Sequence, residues 1–168
     1  MAVKSFGVTT ALLALAASSI AEWANLPLAT VVADTDLAIV GTLSDVAEVP
    51  QGDLDVGRAT LTVEKTIFGS EATRKLSLTW ANERDVDCPR AEPWRHRGVR
   101  AIWLLRLKRD GTYDASYPKR TIPLSASSVA RALQELQKGR DANDERVAEL
   151  VATLKVEASL LKERAVER

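Results

Sequence analysis

From Asp36 to Pro118, apolar and polar residues alternate in five runs, and the chain then changes to a helical period. The runs are DLAIVGTLSDVAEV, RATLTVEKTIFG, RKLSLTW, VRAIWLLRLK and TYDASYP, and a period of two is the mark of a strand with one buried face. In the first, Leu37, Ile39, Gly41 and Leu43 share one face while Ala38, Val40 and Thr42 share the other. Gly41 in mid-strand predicts a bulge or sharp bend. The second run sets Ala59, Leu61 and Val63 inward against Arg58, Thr60, Thr62 and Glu64 outward, and Gly69 supplies its turn. The third repeats the alternation with Leu76, Leu78 and Trp80. The fourth carries Ile102, Trp103, Leu104 and Leu105 in succession, which predicts burial on both faces. Asp110-Gly111 predicts a hairpin into the fifth. Short, bent strands around an apolar centre point to a mainly β fold, a small closed or partly open barrel.

The connections carry further information. Glu48 to Gly57 is expected to be a polar loop, acidic through Glu48, Asp53 and Asp55. Ala81 to Gly98 is the long connection, and Pro89 and Pro93 argue against a continuous helix in it. Connections of that length without secondary structure tend to be functional or mobile. After Pro123 a first helix is expected, with Ser125 as N-cap, Leu124 and Val129 as a hydrophobic staple, and Val129, Leu133 and Leu136 on one face. Gly139 is expected to cap its C-terminus. A second helix is expected from Asp141, with Asp144 and Glu145 in its first turn. Its apolar positions are Val147, Val151, Leu154, Ala158, Leu161 and Ala165. That spacing permits weak self-association through residues 141–165, although packing on the chain's own barrel or a projecting helix is the simpler reading.

The first residues predict export. Lys4 precedes an apolar run from Phe6 to Ala17, and Ser19-Ile20-Ala21 offers small residues of the kind a signal peptidase reads. Residues 1–24 are therefore expected to be a signal peptide, with cleavage near Ala21 or Ala24. The alternative is an uncleaved N-terminal helix. The apolar run is too short for a membrane span, which needs about 20 residues, so no transmembrane segment is expected in the mature chain. The expected location is periplasmic or extracellular. The barrel is then expected over 34–124 and the helices over 125–168.

Composition narrows the function classes. Of 168 residues, 23 are Lys or Arg and 23 are Asp or Glu, so no global field steers the chain towards nucleic acid or an anionic membrane. One cysteine excludes an internal disulfide, and one histidine with it leaves no four-ligand Cys/His set for structural zinc. No metal and no cofactor are expected.

Taken together, Asp36–Leu43, Ala59–Gly69, Asp87-Cys88-Pro89, Gly98–Leu105 and Asp110–Pro118 resemble the netrin-like OB-fold domains. That superfamily includes the tissue inhibitors of metalloproteinases, and the chain is closer to bacterial secreted versions. The resemblance covers about residues 34–124 and implies a five-stranded OB-like barrel with a C-terminal helical extension, one that binds another protein. In the inhibitors a cysteine at the mature N-terminus reaches the enzyme's zinc. Residues 22–30 here hold no cysteine, so no inhibitory residue carries over.

The densest chemistry is Arg90, Trp94, Arg95, His96, Arg97 and Arg100, all in or beside the long connection. Arginines beside an aromatic suit an anion, a carboxylate-bearing partner or single-stranded nucleic acid. Export, zero net charge and the acidic first loop oppose nucleic acid. The plainest alternative is a solvated loop whose arginines pair with Glu83, Asp85 and Asp87. Cys88 could act as a nucleophile with His96 as base, or form an intermolecular disulfide, but two prolines intervene and no third group orients the imidazole. A thiol buried at a turn is simpler. Trp80 and Trp103 are expected in the core. No carboxylate pair suits acid/base work and no Gly-rich phosphate loop exists. The expectation is an exported, non-catalytic module that recognises a protein or peptide through the connection between the third and fourth strands. A structural protein self-associating through its last helix, or a thiol-dependent enzyme, is the alternative.

Overall fold

A computed structural model describes residues 26–70, 73–83, 93–116, 119–138 and 144–167 of the chain. Strand β1 (Leu37–Gln51) pairs antiparallel with β2 (Leu54–Phe68), which pairs antiparallel with β3 (Lys75–Glu83). On its other edge β1 pairs over Leu37–Thr42 with β4 (Arg100–Leu107). The short β5 (Tyr113–Asp114) is antiparallel to β4 and meets β3 in parallel where Leu78 faces Tyr113. The order β1-β2-β3-β5-β4 thus returns to β1 as a ring of five strands, and β6 (Thr121–Pro123) adds to the other edge of β4. Helix α1 (Leu28–Ala33) precedes the ring; α2 (Ala126–Lys138) and α3 (Glu145–Val166) follow it. The protein is mainly β with C-terminal helices, as the alternation implied.

Alternation sorts the strand residues into two cores. Leu37, Ile39, Leu43, Ala59, Leu61, Leu76, Leu78, Trp80, Ala101, Trp103 and Leu105 fill the ring. Ala38, Val40, Ile102 and Leu104 face the other way and pack with Leu28, Val32, Val129, Leu136, Leu150 and Leu154 of the helices. The unbroken apolar run of β4 is explained by this: successive residues serve successive cores. Each fully buried aliphatic side chain contributes about 1.5–3 kcal/mol, so β1 and β4 carry much of the stability of both layers.

Gly41 sits at a register shift, as its place in mid-strand suggested. A Cβ there would lie 2.4 Å from the carbonyl oxygen of Thr62, so no side chain fits between the strands. A further shift falls between Ser44 and Ala47, where Asp45 takes a φ of 51°. Aspartate tolerates this left-handed conformation better than most residues.

Several elements differ from expectation. Glu48 to Gly57 is not a loop: the hairpin continues through Ala47↔Arg58 to Gln51↔Leu54 and closes on Gly52 and Asp53. Gly52, with φ of 61°, occupies the first central position of this two-residue turn, where glycine is favoured. The bulge at Asp45 resets the alternation, which is why the second half of the strand lost its pattern. The fifth strand is shorter than TYDASYP, and Tyr117 and Pro118 lie outside the described residues. Helix α1 and strand β6 were unforeseen, being too short to show a period.

Ser125 caps α2, its Oγ accepting from the backbone N–H of Ser128 at 3.3 Å. Helix α3 opens at Glu145 rather than Asp141, with Asp144 as N-cap accepting from the N–H of Arg146 at 3.0 Å. Val147 and Leu154 are buried against the chain's own core, and Val151, Ala158 and Leu161 pack beside them. The face that would have served self-association is therefore largely engaged within the chain, while Ala165 is exposed. The segment 1–24, with both cleavage positions, and Gly139 and Asp141 lie outside the described residues. No described helix is long and apolar enough to cross a membrane.

Candidate functional site

The connection between β3 and β4 is described only from Pro93 onwards. Cys88, Arg90, Asp85 and Asp87 lie outside the described residues, so the Cys88–His96 reading has no geometry. Pro93–His96 forms one 3₁₀ turn, which includes the backbone of Trp94. A proline suits this first turn because its missing N–H would have no helical partner.

From His96 to Val99 the chain is held tightly. The N–H of Gly98 donates to the carbonyl of Leu43 at 2.9 Å, Arg97 bridges Leu43 in parallel, and the N–H of Val99 donates to the carbonyl of His96 at 3.0 Å. Gly98, with φ of 72°, makes the turn into β4. The His96 ring stands edge-on to Trp103, centroids 6.1 Å apart and planes at 87°. Trp103 is fully buried, and its Nε1–H donates to the carbonyl of Gly41 at 3.1 Å. Segment 93–98 is thus anchored where β1 leaves the ring. Burial first, and the Arg95 charge second, lower the His96 pKa from its ordinary 6.5, so the imidazole is neutral at pH 7.

The six sequence candidates separate into groups. Arg95 and Arg97 are exposed and His96 is half-buried on the anchored segment. Arg100 turns instead towards the helices. Its Nη1 and Nη2 donate to the two carboxylate oxygens of Glu157 at 2.6 and 3.0 Å, and Nε donates to Glu64 at 2.6 Å. All three guanidinium nitrogens are engaged, and these bonds, that to Glu157 foremost, raise its pKa further. The sequence had suggested Glu83, Asp85 and Asp87 as partners for this arginine; Glu64 and Glu157 take that place.

A second polar cluster was not foreseen. Arg120, 2% exposed, donates from Nη2 to Oδ2 of Asp34 at 2.6 Å and from Nη1 to the carbonyl of Leu104 at 3.2 Å. Arg146 donates to the carbonyl of Thr35 at 2.9 Å and lies over the Phe68 ring, 5.7 Å from its centroid. Arg106 stands 3.9 Å from Asp34. Three arginines thus tie the α1–β1 elbow to β4 and α3. Because several of their donors end on backbone carbonyls, this cluster reads as structural. Arg120 follows a proline and a lysine in a turn-like stretch, and nothing local marks it for burial.

A cleft of about 190 Å³ lies between α1, β6 and α2, lined by Leu28, Thr121, Ile122, Ser128 and Arg131, with the Lys119–Glu135 ion pair (2.9 Å) also on its wall. That is below the roughly 300–1,000 Å³ typical of small-molecule sites. Among the described residues, no three His, Cys, Asp or Glu side chains are grouped to hold a metal ion. No protein-family model matches the chain, and no curated protein is significantly similar to it.

Proposed function

We propose that the chain is an exported, non-catalytic binding module, an OB-like barrel of the netrin-like kind that recognises a protein or peptide through the β3–β4 connection. The observation that carries this reading is the anchoring of segment 93–98 on Leu43 and Trp103, with Arg95 and Arg97 exposed on it. Holding side chains in place before contact reduces the ordering entropy that binding costs. Arginine and tryptophan are also the residue types that most often dominate protein interfaces, and Trp94 lies in the same turn. Arg100 supports the platform from behind rather than offering a free cation.

The test is capture of partners from envelope extracts with wild-type protein, Trp94→Ala and Arg97→Ala. Loss of the same partner from both variants is expected. If both retain every partner, the β3–β4 connection is not the recognition surface. N-terminal sequencing of the exported protein should begin at Glu22 or Asn25; a chain still beginning at Met1 would remove the export reading.

A further inference from the structure

The ring has one thin stave. Strand β3 stays in register with β2 from Leu54↔Glu83 to Thr62↔Lys75. Across its other edge, among the described residues, it makes a single parallel pair, Leu78↔Tyr113. Strand β5 is two residues long and meets β4 at Arg106↔Asp114 and Leu107↔Tyr113. Inward it adds little: Tyr113 packs half-buried beside the ring core, and the small Ala115 that follows is buried in it. Short ladders and few buried apolar contacts mark segments that open at a lower free energy than the whole.

Four side chains cross this seam. Thr79 lies between the inward Leu78 and Trp80, so alternation turns it outward. Lys108 Nζ donates to Thr79 Oγ1 at 2.9 Å, the hydroxyls of Thr79 and Thr112 are 2.9 Å apart, and Thr112 Oγ1 donates to Asp110 Oδ1 at 2.6 Å. A hydroxyl has one proton to give. That of Thr112 goes to Asp110, so Thr79 is the donor between the threonines, and the bonds run one way from the ammonium to the carboxylate. A charge at each end strengthens the neutral bond between them. The N–H of Thr112 also donates to Asp110, at 2.9 Å. These two bonds from Thr112, the side-chain one first, hold the Asp110 carboxyl below its usual range. Thr79 belongs to β3, whereas Lys108, Asp110 and Thr112 belong to the β4–β5 turn, which the Lys108 N–H closes by donating to the Thr112 carbonyl at 2.8 Å. The Thr79 hydroxyl is thus where the turn is fastened to β3.

We infer that β5 and its turn form a strap, pinned to β3 by this one-way relay through Thr79, and that the ring opens there before it unfolds elsewhere. Opening uncovers Leu78 and the outer edge of β3, while β4 keeps its pairing with β1 and β6. The strap lies at the end of β4 remote from Arg100, so it is a device separate from segment 93–98.

The test is amide exchange on the full chain in urea below its unfolding transition. In the wild type, the amides of Tyr113 and Asp114 should exchange through an opening that urea barely promotes, because little surface is exposed. Those of Ala101–Leu105 should show the steep urea dependence of global unfolding. Thr79→Val keeps a branched side chain suited to a strand and removes the hydroxyl; it should speed Tyr113 and Asp114 about fivefold. Thr79→Ser, which restores the hydroxyl, should return them to the wild-type rate. Thr112→Val should match Thr79→Val, and the double variant should add little, since either change cuts the same relay. Equal urea dependence for Tyr113 and Leu105 in the wild type would overturn the strap, and it needs no variant to fold. An unchanged rate in Thr79→Val, no rescue by serine, or strictly additive effects of the two valines would overturn the relay that pins it.

Discussion

At Gly57 a Cβ would lie 1.8 Å from Cε2 of Trp80, inside the indole itself. Trp80 is 2% exposed, so the ring cannot swing away without leaving the core and its bond to Glu48. Gly57→Ala should therefore cost about 1–3 kcal/mol, read as a lower urea midpoint with an unchanged slope. Gly111 offers the contrast, with φ of 80° and nothing within 4 Å of an added Cβ. There Gly→Ala meets backbone strain alone, about 1–2 kcal/mol. His96 adds a pH dependence of known sign. Its folded pKa is depressed, so the unfolded chain binds the proton more readily, and stability falls as pH drops below the unfolded value of about 6.5. Melting from pH 7.5 to 5.5 should show a smaller acid-side loss in His96→Asn than in wild type. Equal losses would mean the imidazole is not responsible.

Between elements, the clasp from Arg100 to Glu157 and Glu64 joins β4 to α3 and β2. The Arg100 side chain is 35% exposed, so solvent screens part of the gain. Glu157→Ala should cost about 1–2 kcal/mol, and adding Arg100→Leu should cost less than the sum of the single changes. Strict additivity in that double-mutant cycle would show that the pair is uncoupled. The same contacts mark where sequence reading stops. Alternation identified the strands, the inward set Ala59, Leu61 and Val63, and the two-sided burial of β4, because burial of a pleated face acts at a period of two. It missed the far half of the β1–β2 hairpin, since the bulge at Asp45 breaks that period. It could not pair Arg100 with Glu157 or Arg120 with Asp34, since their spacing along the chain has no local signature. Of the candidate site, Arg95, His96 and Arg97 stay together on one segment, while Arg100 is drawn off by a helix whose packing only the tertiary fold decides.

For the whole molecule, the two cores share β1 and β4, so neither layer is independent of the other. A chain ending at Leu124 would uncover Ala38, Val40, Ile102, Leu104 and Ile122. It should lose cooperative unfolding and bind a hydrophobic dye. A cooperative transition in that shortened chain would show that the ring folds without its helices. Amide exchange should likewise be slowest in Ala101–Leu105 and fastest near Gly52 at the tip of the β1–β2 hairpin. The closure of the ring also orders events in time. The β1–β2 hairpin is local and can form at once, but Leu37 must wait for Leu105, and the loop entropy of that encounter is met before any core rewards it. Ring closure should therefore limit the folding rate, with early chains holding a formed hairpin whose Leu37–Thr42 edge is still bare.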